Sequence, residues 1–148
     1  MEFDNQQQIW QRVRNPEPPR VGPDLRSLAL AAGETEAALR RAAANLGGSQ
    51  RQQALTLARE AAEEVAALRG IHWLSTGKSL PRKPLPAPGG NARELLRLCY
   101  FQCLKAQGEY TARTLEPQFG GIFQSLARQN QARCLALAAI LGTWEDRR

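Results

Sequence analysis

The chain has 148 residues, a formal net charge of +6, and 43% hydrophobic and 23% charged residues, which is the length of one domain with an ordinary globular composition. Those proportions exclude a wholly disordered chain, and no apolar run reaches the about 20 residues that a membrane-spanning helix requires. Three cysteines are too few for a disulfide scaffold, so the sequence predicts a protein of the reducing cytoplasm.

The N-terminal segment, residues 1–23, is predicted to be an extended arm. It contains four prolines, and prolines at this density prevent a regular helix. Its first ten residues are polar and mildly acidic, so they do not resemble a secretion signal. The pattern changes at Asp24. We assign residues 24–143 to one helical bundle and residues 144–148 to a short C-terminal tail.

Two helices are predicted in the first half of the bundle. Apolar residues recur at spacings near 3.6 after Asp24, which is suited to cap a helix, until the Gly47-Gly48 pair ends the pattern. Ser49 is predicted to cap the second helix and Gly77 to end it. Both segments are rich in Ala, Leu, Arg, Gln and Glu, which favour helix.

A Pro-rich linker, residues 78–90, follows the second helix. It has four prolines and two glycines, and its three basic residues together with Arg93 carry a charge of +4 with no acidic residue. Such a charge run in a Pro-rich segment is typical of a solvated linker, so weak nucleic-acid binding through this linker is the less favoured interpretation.

Two further helices are predicted after the linker. The third begins at Asn91, and the fourth runs from about Phe119 to Leu141 and ends at Gly142. No segment alternates in the manner of a strand. The fourth helix is predicted to bury one stripe of residues: Phe123, Leu126, Ala127, Leu137, Ala138 and Leu141.

The two halves of the bundle repeat at a constant offset of 69 residues. Leu57-Ala58-Arg59 recurs as Leu126-Ala127-Arg128, and at the same offset Leu68 corresponds to Leu137 and Ala37 to Ala106. One helical hairpin therefore occurs twice, with the Pro-rich linker as the connection. The predicted fold is all-α, a four-helix bundle of ferritin-like topology in which a crossover joins two repeated hairpins.

Several short segments resemble the rubrerythrin-like branch of the ferritin-like superfamily, including a leader found in some anaerobic bacterial members. They are Leu-Ala-Arg in both halves, residues 67–71, 98–100, 109–110 and 123–127, and the leader at 8–13. The resemblance implies a bacterial protein with a ferritin-like bundle. In that family two iron ions lie in the bundle centre, held by a glutamate from each of two helices and a Glu-x-x-His motif from each of the others.

The positions that correspond to the family's ligands have mostly lost their ligand residues. They are Glu34, Ala61, Glu64, Cys103, Asn130 and Arg133. Only Glu34 keeps the residue type of the family, and no histidine is present among them. A fixed positive charge at Arg133 opposes cation binding, so the sequence predicts no diiron centre. It predicts instead an ion pair of Arg133 with Glu34 or Glu64 that replaces the metal as a polar spacer.

Three cysteines and one histidine leave other chemistry open. Cys99 and Cys103 are one helical turn apart, and Cys134 is on the helix expected to pack beside them. We interpret the three thiols as core residues. One alternative is redox reactivity, which nearby positive charge would favour at Cys103 and Cys134. The other is a zinc site formed with His72. The zinc site is disfavoured because His72 lies far along its helix.

The sequence as a whole favours a metal-free, degenerate ferritin-like protein that acts as a structural or interaction module without catalytic residues or cofactor. A homodimer formed through helix faces, or an unidentified protein partner, fits this role. The alternative is a metal-binding protein or oxidoreductase in which a remodelled site of Glu34, Glu64 and Cys103 handles iron or peroxide.

Overall fold

The computed structural model describes residues 25–81, 86 and 88–145 and contains four α-helices there, with no strand. They are α1 (Leu25–Ala44), α2 (Gly48–Thr76), α3 (Ala92–Thr111) and α4 (Gly120–Glu145). This confirms the all-α prediction of four helices. The N-terminal arm, the Asp24 cap and residues 146–148 lie outside the described residues. None of the described helices has the length and apolar character needed to cross a membrane.

Each helix packs against two others. Helix α1 packs closely on α2 and α3, and α3 packs closely on α4, whereas the backbones of α2 and α4 stay further apart. Gln50 at the start of α2 donates a hydrogen bond to Thr143 at the end of α4, over 3.0 Å, so these two helices are antiparallel. The wider gap between them is filled by long side chains, described below.

The apolar core is divided into two clusters, one toward each end of the bundle. The first cluster combines the end of α1, the start of α2, the start of α3 and the end of α4, with Leu39, Leu57, Leu95 and Leu137 as members. The second combines the opposite ends, with Leu28, Leu68, Tyr110 and Phe123 as members. Polar side chains lie between the two clusters, in the middle of the bundle.

The helix ends agree with the sequence in two places. Asn91 caps α3, because its side chain accepts a hydrogen bond from the Glu94 N–H at 2.9 Å. Gly77 ends α2 in the left-handed conformation, with φ of 71°, and its N–H donates to the Trp73 carbonyl at 2.8 Å. A left-handed residue costs little only where glycine provides it.

Other predicted details were wrong. Ser49 lies inside α2, and Gly47 occupies the cap position without a side-chain hydrogen bond. Helix α4 does not end at Gly142 but continues to Glu145. Ala138 is exposed and Leu141 only half-buried, while Cys134 and Ile140 take buried positions on α4. In the linker, Leu80 is buried although the segment was expected to be solvated.

Candidate functional site

Five buried side chains in the middle of the bundle form what we call the central polar cluster: Glu64, Cys103, Tyr110, Asn130 and Arg133. Helix α2 supplies the carboxylate, α3 supplies the thiol and the phenol, and α4 supplies the amide and the guanidinium. The α3 pair is seven residues apart and the α4 pair three, so each pair lies on one face of its helix. Glu64 is 2% exposed and Arg133 is 1% exposed. They are the most deeply buried charged side chains among the described residues.

Both carboxylate oxygens of Glu64 accept hydrogen bonds. The Tyr110 hydroxyl donates to Oε2 at 2.6 Å. Asn130 Nδ2 and Arg133 Nη1 both donate to Oε1 at 3.0 Å. A buried carboxylate is tolerated only when it is paired and hydrogen-bonded, and Glu64 receives hydrogen bonds from three donors on two other helices, α3 and α4.

Arg133 uses only one side of its guanidinium. Besides Glu64, Nη1 lies 3.2 Å from the Asn130 Oδ1 acceptor and 3.8 Å from Cys103 Sγ. The buried Nε and Nη2 atoms have no hydrogen-bond partner in the described structure. Leaving such donors unpaired in the core costs free energy, so the hydrogen bonds of Arg133 compensate its burial only in part.

Burial and charge shift the titration of the cluster in consistent directions. Burial is the largest single influence on the pKa of Arg133 and lowers it, but the interactions with Glu64 and Cys103 together outweigh burial and raise the pKa of the guanidinium. Burial, reinforced by the same carboxylate, raises the pKa of the Tyr110 hydroxyl, which therefore stays protonated as a donor.

The three cysteines are free and buried. Burial raises the pKa of Cys99 to about 12 and that of Cys103 to about 11, although Arg133 acts in the opposite direction on both. Burial likewise raises the pKa of Cys134, against the effect of Arg133. Thiolate is the reactive form of cysteine, so these thiols are protonated and unreactive near pH 7. The idea that Arg133 activates Cys103 or Cys134 does not hold, because desolvation dominates.

The structure brings together four of the six positions that correspond to family ligands, Glu64, Cys103, Asn130 and Arg133. Ala61 is also fully buried but offers no donor atom. Glu34 is half-buried and close enough to Cys99 to raise the pKa of that thiol, and no described hydrogen bond or ion pair joins it to the cluster. The predicted ion pair of Arg133 is therefore with Glu64, at 3.0 Å, and not with Glu34.

The sequence did not predict that Tyr110 and Asn130 would donate hydrogen bonds to Glu64. Asn130 was predicted only as one of the positions that match family ligands, and that spacing was the available signal. Nor did the sequence predict a second polar contact, in which Thr35 Oγ1 donates to Gln102 Oε1 at 2.7 Å between α1 and α3. His72 is half-buried near the end of α2, in no described contact with a cysteine.

Two iron ions do not fit the central polar cluster. It contains one carboxylate, whose oxygens are already engaged by three donors, and a fixed guanidinium charge. Iron sites of this kind need several carboxylates to balance the metal charge. No group of three or more His, Cys, Asp or Glu side chains within the described ranges could hold a metal ion.

Comparisons with protein-family models, curated proteins and solved structures gave no match to this chain.

Proposed function

We propose that the chain is a degenerate, rubrerythrin-like member of the ferritin-like superfamily from the bacterial cytoplasm, in which an internal ion pair has taken the place of the metals. Its role is that of a structural or interaction module, without redox or hydrolytic chemistry of its own.

The observation that carries this proposal is the Glu64–Arg133 pair. The two residues are 69 positions apart, which is the offset of the sequence repeat, and they occupy the two places where the resemblance puts metal-binding histidines. Their charged atoms are 3.0 Å apart in the middle of the bundle. In the proposed scaffold this ion pair fills the space of a metal centre. The positive charge of Arg133 balances the Glu64 carboxylate in place of metal ions.

The arrangement of the helix ends supports a ferritin-like topology. Helix α2 ends in the second apolar cluster, with Leu68 and Ile71, whereas α3 begins in the first cluster, with Ala92 and Leu95. A segment that joins these two ends in the manner of a long crossover fits this arrangement and supports the proposed topology. Arg41 Nη1 donates to the Pro88 carbonyl at 3.1 Å, beside the start of α3.

Metal analysis of the full chain tests the metal-free proposal. We expect elemental analysis of protein purified from iron-replete cells to give less than about one-tenth of an iron, manganese or zinc ion per chain, because one carboxylate and one guanidinium cannot balance a dication pair. About two iron ions per chain would overturn the proposal and favour the alternative oxidoreductase with a remodelled site.

A gain-of-function variant tests the ferritin-like scaffold itself. Five changes restore the family's ligand types beside Glu34: Ala61→Glu, Glu64→His, Cys103→Glu, Asn130→Glu and Arg133→His. We expect this variant to bind about two ferrous ions per chain and to be stabilised by them, because a ligand bound only by the native state raises stability. The matched control keeps Arg133 and carries the other four changes; it should bind no iron. If the variant with all five changes folds but binds no iron, that result would contradict the ferritin-like topology.

A further inference from the structure

The outer face of the α3–α4 hairpin carries an apolar patch that the fold does not use. Phe101 is 57% exposed, Leu104 48% and Leu135 69%. The backbone carbonyl of Tyr100 on α3 accepts from Cys134 Sγ on α4 at 3.7 Å, so the two helices are level at these residues. Each next residue turns about 100° further around its helix, which puts Phe101 and Leu135 side by side on the outside.

The residues around this patch, which we call the α3–α4 face, are small, neutral polar or basic. On α4 the exposed neighbours of Leu135 within a turn are Gln131, Ala132, Ala138 and Ala139. Three exposed basic side chains lie at helical spacing from the patch: Arg97 and Lys105 are each four residues from Phe101, and Arg128 is seven residues from Leu135. Helix α4 has no acidic residue before Glu145, and the exposed Glu94 on α3 is engaged by Asn91 in the helix cap.

We propose that the α3–α4 face binds an acidic amphipathic helix of a partner protein. This inference rests on the proposed role as an interaction module. The apolar side chains of such a helix would pack on Phe101, Leu104 and Leu135, and its carboxylates would lie against Arg97, Lys105 and Arg128. Helix-in-groove recognition uses apolar anchors at i, i+3, i+4 and i+7, which suits a shallow surface between two antiparallel helices.

Charge favours this occupant over a second copy of the chain. Three such side chains expose on the order of 300 Å² of apolar surface, which is the size of patch that often marks a binding site. A two-fold dimer would bring two equally basic faces together, and like charges repel.

An anionic membrane is the less favoured occupant. Lipid recognition by electrostatics typically uses four to eight clustered Lys and Arg residues, and the α3–α4 face offers three. Its apolar side chains are also confined to about one turn of each helix, which is a small area to insert into a bilayer.

A display library of helical 18-residue peptides, selected on the full-length chain, tests the proposal. We expect the recovered peptides to be rich in Asp and Glu and to carry bulky apolar residues at i and i+3 or i+4. Their affinity should fall at least about tenfold with Leu135→Glu and with Phe101→Glu, since central apolar anchors dominate such interfaces. Leu74→Glu is the matched control: Leu74 is 63% exposed on α2, and its change should leave affinity within about twofold.

Charge is tested separately from apolar contact. Arg128→Glu should weaken the selected peptides and reduce the salt dependence of binding, whereas Arg59→Glu, an exposed arginine on α2, should do neither. Circular dichroism of each variant verifies the helical fold. The sites are exposed, so folding should be unaffected.

Four outcomes would overturn the proposal. These are the failure to recover any peptide, enrichment of basic peptides, cosedimentation of the chain with phosphatidylserine vesicles that Leu135→Glu abolishes, and a dimer in sedimentation velocity that Leu135→Glu abolishes. None of these results bears on metal content. If the parent protein contains no iron and binds no peptide, only the docking site is refuted. If the parent protein contains iron, the proposed function is refuted, whether or not peptides bind.

Discussion

The guanidinium of Arg133 lies in the middle of the bundle and is 1% exposed. Its charge is balanced by the Glu64 carboxylate at 3.0 Å, and its Nη1 also donates to the Asn130 amide oxygen and to the Cys103 sulfur. Replacement of one partner leaves the other charge without compensation, and that cost exceeds what the pair itself adds to stability.

The first prediction concerns this ion pair. Arg133→Ala should lower the free energy of unfolding by about 3–5 kcal/mol, because Glu64 would remain buried without its counter-charge. Urea denaturation followed by circular dichroism measures the change. Arg128→Ala, an exposed arginine on the same helix, is the control and should change stability by less than about 0.5 kcal/mol.

The double variant Glu64→Leu with Arg133→Met separates the charge from the packing. It should lose less stability than Arg133→Ala alone, because no uncompensated charge remains and apolar side chains of similar volume replace the pair. If Arg133→Ala were as stable as the parent protein, Arg133 would face solvent and the prediction would be wrong.

The choice of Glu64 rather than Glu34 could not be predicted from the sequence. Both acids lie on predicted inner faces, and periodicity gives the register within one helix but not its rotation against its neighbours. In the structure α1 turns Thr35, which is 2% exposed, toward α3, and this leaves Glu34 half-buried. That rotation depends on how all four helices pack together.

At the scale of the helices, the sequence was most informative where the local chemistry is strong. The caps at Asn91 and Gly77 follow from a side-chain acceptor and from a left-handed backbone, both of which are properties of a few adjacent residues. The end of α4 was misplaced because one glycine inside a helix costs only about 1 kcal/mol. Contacts such as Gln50 with Thr143, which lie 93 residues apart, can outweigh that cost.

Two glycines with opposite conformations give the second prediction. Gly142 lies inside α4 and an added Cβ there would meet nothing within 4 Å, so Gly142→Ala should stabilise the protein by up to about 1 kcal/mol. Gly77 has a φ of 71°, so Gly77→Ala should destabilise it by about 1–2 kcal/mol. Thermal and urea denaturation measure both, and a loss of stability in Gly142→Ala would mean that α4 ends there.

At the scale of the whole molecule, the buried thiols make stability depend on pH. In the unfolded chain a cysteine ionises near its ordinary pKa of 9.0, whereas in the folded protein the pKa is about 12 for Cys99 and about 11 for Cys103. Between these values the unfolded state releases protons that the folded state keeps. The stabilisation is thus complete below about pH 9 and is lost as the pH rises toward 11–12.

The third prediction follows from that difference. Under reducing conditions the free energy of unfolding should fall above pH 9, by about 1.4 kcal/mol per pH unit for each such thiol, with Tyr110 adding to the loss. Cys99→Ala should reduce the slope between pH 9.5 and 11 by about that amount. Ala44→Cys adds a thiol at an exposed site and should leave the slope unchanged. A flat profile in the parent would show that the thiols are not buried.

The Glu64–Arg133 pair also determines which hairpin can associate with which. The two residues occupy corresponding places in the α1–α2 and α3–α4 hairpins, and they meet where α2 faces α4. If two copies of the first hairpin paired in the same way, two carboxylates would meet without a cation. Two copies of the second would confront two guanidinium groups. Opposite charges at positions 69 residues apart therefore favour the pairing of the first hairpin with the second over the pairing of either hairpin with a copy of itself.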